Sequence, residues 1–198
     1  MKILLNIFLI KGLLLIGLVL QAEIIIDGKL DEDDWKEARQ ITSFYEVFPY
    51  TLNPVEDIKT VILIQESSEG IFLGFKNYQS NESMRSQSHQ RDNERSIADK
   101  NGVTIDFDAD KLSGYQFFVS SSGSIGDATY SNENERSYDW DADWLSAAST
   151  EDGVWYSEMF IPWTVAPMKA QSGEKRKVRI AFYRMLAGPQ RVIATIKG

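Results

Sequence analysis

Residues 103–108 read Val-Thr-Ile-Asp-Phe-Asp, a strict alternation of apolar and polar side chains with carboxylates on the polar side. A period of two residues is typical of a β-strand that buries one face. Residues 115–121 follow after a short polar turn and have the length and composition of an antiparallel partner. These two segments predict a β-hairpin at the centre of the chain.

Six further segments have a strand-like character, with apolar or alternating residues between turns rich in Gly, Asn, Asp and Ser. They are residues 24–26, 58–66, 70–78, 144–150, 154–161 and 177–186. The continuous apolar runs in residues 58–66 and 70–78 favour central strands buried on both faces. Residues 79–100 are polar throughout and predict a long surface loop.

Only one segment has a helical character. The octet of residues 31–38 (DEDDWKEA) predicts one or two helical turns, with Asp31 as the cap and with Trp35 and Ala38 facing inward. Trp155 lies on a regular apolar face and is expected in the core, as is Trp35. The fold class is therefore all-β: an antiparallel β-sandwich or jelly roll with one short N-terminal helix.

The first 22 residues have the features of a secretory signal peptide. Lys2 precedes an apolar run over residues 12–20, and Ala22 supplies the small residue before a cleavage site. Lys11 disfavours an uncleaved membrane anchor. We therefore expect a signal peptide at residues 1–22, one sandwich domain at 23–186 and an irregular tail at 187–198, in a chain exported to the periplasm, the outer membrane or the extracellular space.

Composition excludes several classes of function. The net charge of -8 and the pI near 4.8 argue against a nucleic-acid partner, because phosphate binding needs clustered Lys and Arg. The chain has no cysteine, which excludes disulfides, thiolate nucleophiles and cysteine-based zinc sites. The single histidine, His89, lies in the polar loop and gives no support for a catalytic triad.

Several segments share order and spacing with a known family. They are residues 26–38 (IDGKLDEDDWKEA), the pair Arg91-Asp92, residues 103–108, residues 114–118 (GYQFF), residues 139–144 (DWDADW) and residues 151–163 (EDGVWYSEMFIPW). Together they resemble the family 9 carbohydrate-binding modules, in particular a bacterial subgroup in which the module precedes a region resembling an outer-membrane barrel. The resemblance spans residue 24 to about residue 184 and implies a β-sandwich that binds carbohydrate without catalysis.

Flat aromatic rings bind the C–H faces of sugars, and amides and charged groups bind their hydroxyls. Tyr138, Trp140 and Trp144 lie in a polar stretch and are the candidate sugar-binding rings, with Arg91 as a further candidate. The competing interpretation is that Trp144 heads a strand and lies in the core, while Trp140 braces the loop.

A calcium site is a second expectation. Asp106, Asp108 and Asp110 present alternate carboxylates, and the family includes calcium-binding members. The segment nevertheless lacks the glycine and the distal glutamate of an EF-hand loop.

Two alternatives to carbohydrate binding stay open. One is a structural or docking domain for an outer-membrane or catalytic protein partner. The other, with less support, is a glycoside hydrolase, which needs two carboxylates across a cleft. Because the chain contains 29 acidic residues, the sequence does not single out such a pair.

Overall fold

The computed structural model describes residues 24–93, 95–132, 135–170 and 175–195, so the predicted signal peptide lies outside the described residues. The described residues form β-strands and two short 3₁₀ helices, Asp33–Glu37 and Trp163–Val165. The strands are β1 Arg39–Ile41, β2 Tyr45–Phe48, β3 Thr60–Glu66, β4 Gly70–Tyr78, β5 Lys100–Asp106, β6 Ser113–Ser120, β7 Ile125–Ser131, β8 Glu135–Ser137, β9 Leu145–Glu151, β10 Val154–Pro162, β11 Arg179–Leu186 and β12 Arg191–Ala194.

The strands form two antiparallel sheets. One has five strands in the order β1-β3-β4-β10-β9, and the other has seven in the order β2-β12-β11-β5-β6-β7-β8. This arrangement confirms the predicted all-β sandwich. Within the described part of the chain, no helix has the length and apolar character needed to cross a bilayer.

The inner faces of the two sheets enclose one apolar core. Val103 and Ile105 of β5, and Phe107 just after it, are at most 2% exposed, as the alternation of residues 103–108 predicts. Trp155 of β10 is fully buried, which confirms its predicted place in the core. Thr104 of β5 and Asp108, which alternate with these residues, lie on the other side of the strand and are only partly buried.

The five-stranded sheet is covered on its outer face too. The N-terminal segment, residues 24–38, packs against this face, and its buried side chains form a second apolar cluster with β3: Ile24, Trp35, Ala38 and Leu63. β3 and β4 are therefore enclosed on both sides, which explains why their sequences are continuous apolar runs rather than alternating ones.

A buried carboxylate attaches the N-terminal segment to the sheet. Glu158 of β10 is 0% exposed and accepts hydrogen bonds from the backbone N–H of Asp27 (3.0 Å), the backbone N–H of Gly28 (2.7 Å) and the indole N–H of Trp35 (3.1 Å). Gly28 has a φ of +90°, and a Cβ on it would lie 2.9 Å from the backbone carbon of Ala148, so the approach requires glycine. Burial raises the pKa of Glu158 from 4.5 to about 7, while the N–H donors favour its charged form.

Three local predictions need correction. Residues 24–26 are not a strand, because they run over the outer face of a sheet without joining it. The predicted one or two helical turns are present as a 3₁₀ helix, Asp33–Glu37, but its N-cap residue is Glu32 rather than Asp31. The tail at 187–198 is not irregular throughout, since β12 pairs with both β11 and β2 inside the seven-stranded sheet.

The raised pKa of Glu158 predicts a pH-dependent stability. Because folding favours the protonated carboxyl, the free energy of unfolding should fall as pH rises from 4.5, the pKa in the unfolded chain, to about 7, the pKa in the folded chain. At ~1.4 kcal/mol per pKa unit, this carboxyl accounts for ~3 kcal/mol over that range. Urea unfolding at about pH 5 and about pH 8 should show most of this difference disappearing in Glu158→Gln.

The matched control is Glu151→Gln, which replaces an exposed carboxyl at the end of β9. It should keep the pH dependence of the unsubstituted chain. An unchanged pH dependence in Glu158→Gln would contradict the account of this carboxyl.

Candidate functional site

The predicted sugar-binding residues meet at one edge of the seven-stranded sheet. β8 pairs with β7 only along Thr129 to Ser131, and the chain then crosses to β9 in the other sheet through residues 138–144, the crossover segment. The rest of β7, residues 125–128, has no strand partner on this side. The long loop at residues 79–99 lies along it instead. There the Asp92 backbone N–H donates to Ile125 O (3.3 Å), and Asp92 Oδ1 accepts the backbone N–H of Asp127 (2.7 Å).

Asp127 of β7 is the centre of this edge. Its carboxylate is 0% exposed and accepts hydrogen bonds from the guanidinium of Arg91, from the Trp144 indole N–H (3.0 Å) and from the Ala142 backbone N–H (3.0 Å). A buried carboxylate is stable only when its charge is paired and its oxygens are hydrogen-bonded, and here both conditions hold. Asp127 therefore joins β7, the long loop and the crossover segment.

Arg91 is directed towards the protein. Besides Asp127, its guanidinium contacts Ala142 O at 2.8 Å and the exposed Asp141 carboxylate at 3.2 Å. These contacts place the guanidinium between the long loop and the crossover segment. Asp92, beside it, has its pKa raised by burial. The structure thus gives Arg91 a positioning role; sugar contact by Arg91 stays a prediction.

The two tryptophans of the crossover segment face the core. Trp144 is only 6% exposed and packs edge-on against Phe117, with 5.5 Å between ring centroids. Trp140 is half-buried, and its ring lies 5.0 Å from Tyr115 and 5.8 Å from Phe117. Trp144 therefore does not present its ring to a sugar as expected, because the ring is packed in the apolar core and its indole N–H is bonded to Asp127. Sugar contact by the partly exposed Trp140 stays a prediction.

Tyr138 faces the opposite way, onto the outer face of the seven-stranded sheet. The Arg136 guanidinium carbon lies 4.5 Å from the centre of the Tyr138 ring and 5.6 Å from that of Tyr130. The Arg136 guanidinium donates a hydrogen bond to Gln116 Oε1, and the Tyr130 hydroxyl lies 3.5 Å from the same oxygen. Aromatic rings and hydrogen-bonding groups are therefore combined on one sheet face.

A third tyrosine, Tyr183 of β11, belongs to this group. It pairs with Gly102 of β5, where any Cβ would collide with the Tyr183 ring, so glycine allows the ring to lie across the sheet. Burial raises the pKa of the Tyr183 hydroxyl, and Arg136, Tyr130 and Tyr138 are all near enough to influence it. Tyr130, Tyr138, Tyr183, Arg136 and Gln116 together are called the tyrosine platform below.

Sequence reasoning found only Tyr138 among the five platform residues. Gln116 and Tyr130 are the outward residues of β6 and β7, so once the strands are known the alternation identifies them. Arg136 lies on β8, a strand of three residues with no alternating signal. Tyr183 joins the group through sheet order alone, since β11 and β6 both flank β5.

The predicted calcium ligands do not form a metal site. Asp106 accepts backbone amides of its own turn, Asp108 contacts the Arg176 guanidinium at 3.1 Å, and Asp110 contacts the Lys169 ammonium at 2.5 Å. The hydrogen bond to Lys169 lowers the pKa of Asp110. Nowhere in the described ranges do three or more carboxylate or histidine side chains gather to hold a metal ion. The residues present therefore do not fit calcium.

A cleft of about 1190 Å³ opens elsewhere, between the edges of the two sheets near β1, β3 and β11. Ile41, Ile64 and Phe182 are among its apolar lining residues, and Arg39 and Gln40 are among its polar ones. None of the predicted sugar-binding residues lines this cleft, so it does not support the sugar hypothesis.

Substitution of Asp127 tests its central position. Asp127→Asn removes the charge that pairs with Arg91 and places an amide against N–H donors, so the free energy of unfolding should fall by about 3 kcal/mol. The control, Asp141→Asn, breaks an ion pair whose carboxylate side chain is 78% exposed and should change it by at most about 1 kcal/mol. Urea unfolding measures both, and equal effects would contradict the assignment.

No known family model matches the chain, and no curated protein matches it significantly. Several solved structures match the chain. A family 9 carbohydrate-binding module from Caldicellulosiruptor kristjanssonii in complex with cellotriose matches with a TM-score of 0.57 and 11% identity, covering 87% of this chain and 78% of that one. The same organism's family 9 module in complex with glucose gives 0.58 and 11%, covering 87% and 81%.

A Bacteroides uniformis protein, whose assignment as carbohydrate-binding is itself inferred, matches with a TM-score of 0.55 and 14% identity, over 78% of each chain. At such low identity the likeness concerns the backbone arrangement. The chain therefore has the fold of the family 9 carbohydrate-binding modules.

Proposed function

We propose that this chain binds carbohydrate without catalysis and that the sugar lies on the tyrosine platform. The observation that carries the proposal is the combination of three partly exposed tyrosines with Arg136 and Gln116 on one sheet face. Tyrosine rings offer apolar faces for the C–H groups of a pyranose, and the exposed Arg136 offers a guanidinium for its hydroxyls. Gln116 is only 6% exposed and positions Arg136 by accepting its hydrogen bond. A sheet also holds such groups more rigidly than a loop does.

Glucose and cellotriose are the first ligands to test. The two family 9 structures of similar fold contain these sugars, and a platform spanning β6 to β8 and β11 suits an oligosaccharide rather than a small ion. The signal-like residues 1–22 support a function after export, where polysaccharides are met. Participation in polysaccharide breakdown, alongside a separate catalytic protein, follows as part of the same proposal.

Calorimetric titration with cellotriose tests the proposal. Tyr138→Ala should weaken binding by about fivefold to tenfold, because it removes one stacking surface worth about 1 kcal/mol. The matched control is Tyr156→Ala, which removes a half-buried tyrosine from the outer face of the other sheet. Cellotriose affinity should be unchanged in the control.

Equal affinities in the unsubstituted chain and in Tyr138→Ala would contradict the platform as the binding site. A chain that binds neither cellotriose, glucose nor any glycan in a wider panel would contradict carbohydrate binding itself. That outcome would favour the docking alternative, for which the end of β2 and the turn after it present three exposed apolar side chains: Phe48 (56% exposed), Tyr50 (79%) and Leu52 (41%).

A further inference from the structure

A layer of polar side chains lies inside the sandwich, between the two apolar inner faces. On the five-stranded sheet it contains Thr60 of β3, Asn77 of β4 and Trp155 of β10, which are paired across neighbouring strands. On the seven-stranded sheet it contains Asn101 of β5 and Arg184 of β11, which are also direct cross-strand partners. All five side chains are at most 3% exposed, so water at the surface does not reach them.

Cross-strand pairs and hydrogen bonds connect these side chains and Ser157, and the six residues together are called the ring below. Arg184 Nη1 donates to Thr60 Oγ1 (2.7 Å), and Thr60 lies 3.4 Å from the Asn77 side-chain oxygen. Asn77 in turn donates to the Trp155 carbonyl (3.3 Å).

Ser157 connects the two sheets at a second point. It follows Trp155 by two residues, on the same face of β10, and accepts a hydrogen bond from Asn101 Nδ2 (2.9 Å). Asn101 and Arg184 are opposite each other, at the Cβ separation of about 5 Å that cross-strand neighbours have. The ring therefore joins the two sheets at two points, through Arg184 to Thr60 and through Asn101 to Ser157.

Three polar atoms of this ring find no partner within the described part of the protein: Arg184 Nε, Trp155 Nε1 and Asn101 Oδ1. Leaving a buried donor or acceptor without a hydrogen bond is unfavourable, because the group loses its bond to water and gains none in the folded protein. Three such groups on neighbouring side chains are unusual in a native interior, where buried polar groups are nearly always bonded to protein or to ordered water.

From this ring we infer an internal water-binding site. One water molecule accepts hydrogen bonds from the two N–H groups of Arg184 and Trp155 and donates one to Asn101 Oδ1. The count fits the molecule, because water has two lone pairs for the two donors and a proton for the acceptor. The bound water thereby connects β10 of one sheet with β5 and β11 of the other.

An anion is the competing ligand, because the Arg184 guanidinium is a buried cation. A carboxylate of the protein already compensates this charge through a bridging amide. Arg184 Nη2 donates to Gln79 Oε1 (2.6 Å), and Gln79 Nε2 donates to the fully buried Asp99 carboxylate (2.7 Å). The carbonyl oxygen of Asn101 also repels an anion and attracts a water proton. Both features favour the neutral ligand.

A crystal structure of the folded chain, grown with bromide in place of chloride, tests the inference. The expected result is an oxygen-sized peak at about 2.7–3.2 Å from all three atoms, with no anomalous signal. The indole nitrogen of Trp144 is an internal control, because it is buried but already donates to Asp127. No peak should appear beside it.

Two results would overturn the inference. An anomalous bromide peak at the ring would show an anion site instead of a water site. The absence of any peak, or direct pairing of the three atoms with other protein groups, would show that no ligand is held there.

Discussion

The buried carboxylate of Asp127 is the constraint on which the candidate site depends. It sits on β7 at the place where β8 stops, and it binds donors from the long loop and from the crossover segment. Because the Trp144 indole donates to this carboxylate, the end of the crossover is fixed in the core. The start of the crossover, at Tyr138, is left beside Arg136 on the outer face. The Asp127 carboxylate thus helps to hold Trp144 in the core, while Tyr138 stays partly exposed.

Glu158 performs a comparable task on the other sheet. Its carboxylate accepts the backbone N–H groups of Asp27 and Gly28 and the indole of Trp35, all from the N-terminal segment. The segments that carry the family resemblance therefore contribute to structure. The Ile-Asp-Gly stretch supplies amides to a buried acid, as the Asp-Ala-Asp-Trp stretch does around Asp127. Shared motifs of this kind explain a shared fold without requiring shared sugar contacts.

Much of the fold could be predicted from the sequence, because strong patterns mark buried strands. Residues 58–66, 70–78 and 154–161 are all strands within a residue or two of the expected ends. β1, β2, β8 and β12 were not predicted, since a strand of three or four residues at or near a sheet edge carries too few side chains to show a period. β7 was not predicted either, because its seven residues, IGDATYS, contain little apolar pattern. The sandwich fold could therefore be predicted from the sequence, but the full number of strands could not.

The candidate site could be predicted only in part, for a different physical reason. Tyr138 and Trp144 are separated by an irregular crossover, so a two-residue period does not tell which ring faces outward. Asp127 stands between Gly126 and Ala128 in a strand with little apolar pattern, and nothing local distinguishes it from a solvated aspartate. The residues predicted to bind calcium do not fit that ion, because two of the alternating acids form ion pairs with basic residues of a distant segment. Asp108 pairs with Arg176, and Asp110 pairs with Lys169.

The most direct test of the account is to locate the sugar by NMR, following backbone amide shifts while cellotriose is added to the folded chain. The account predicts that the largest shifts occur at Gln116, Tyr130, Arg136, Tyr138 and Tyr183, on one face of the seven-stranded sheet. Shifts confined to the cleft near β1 and β11, or to the outer face of the five-stranded sheet, would contradict it.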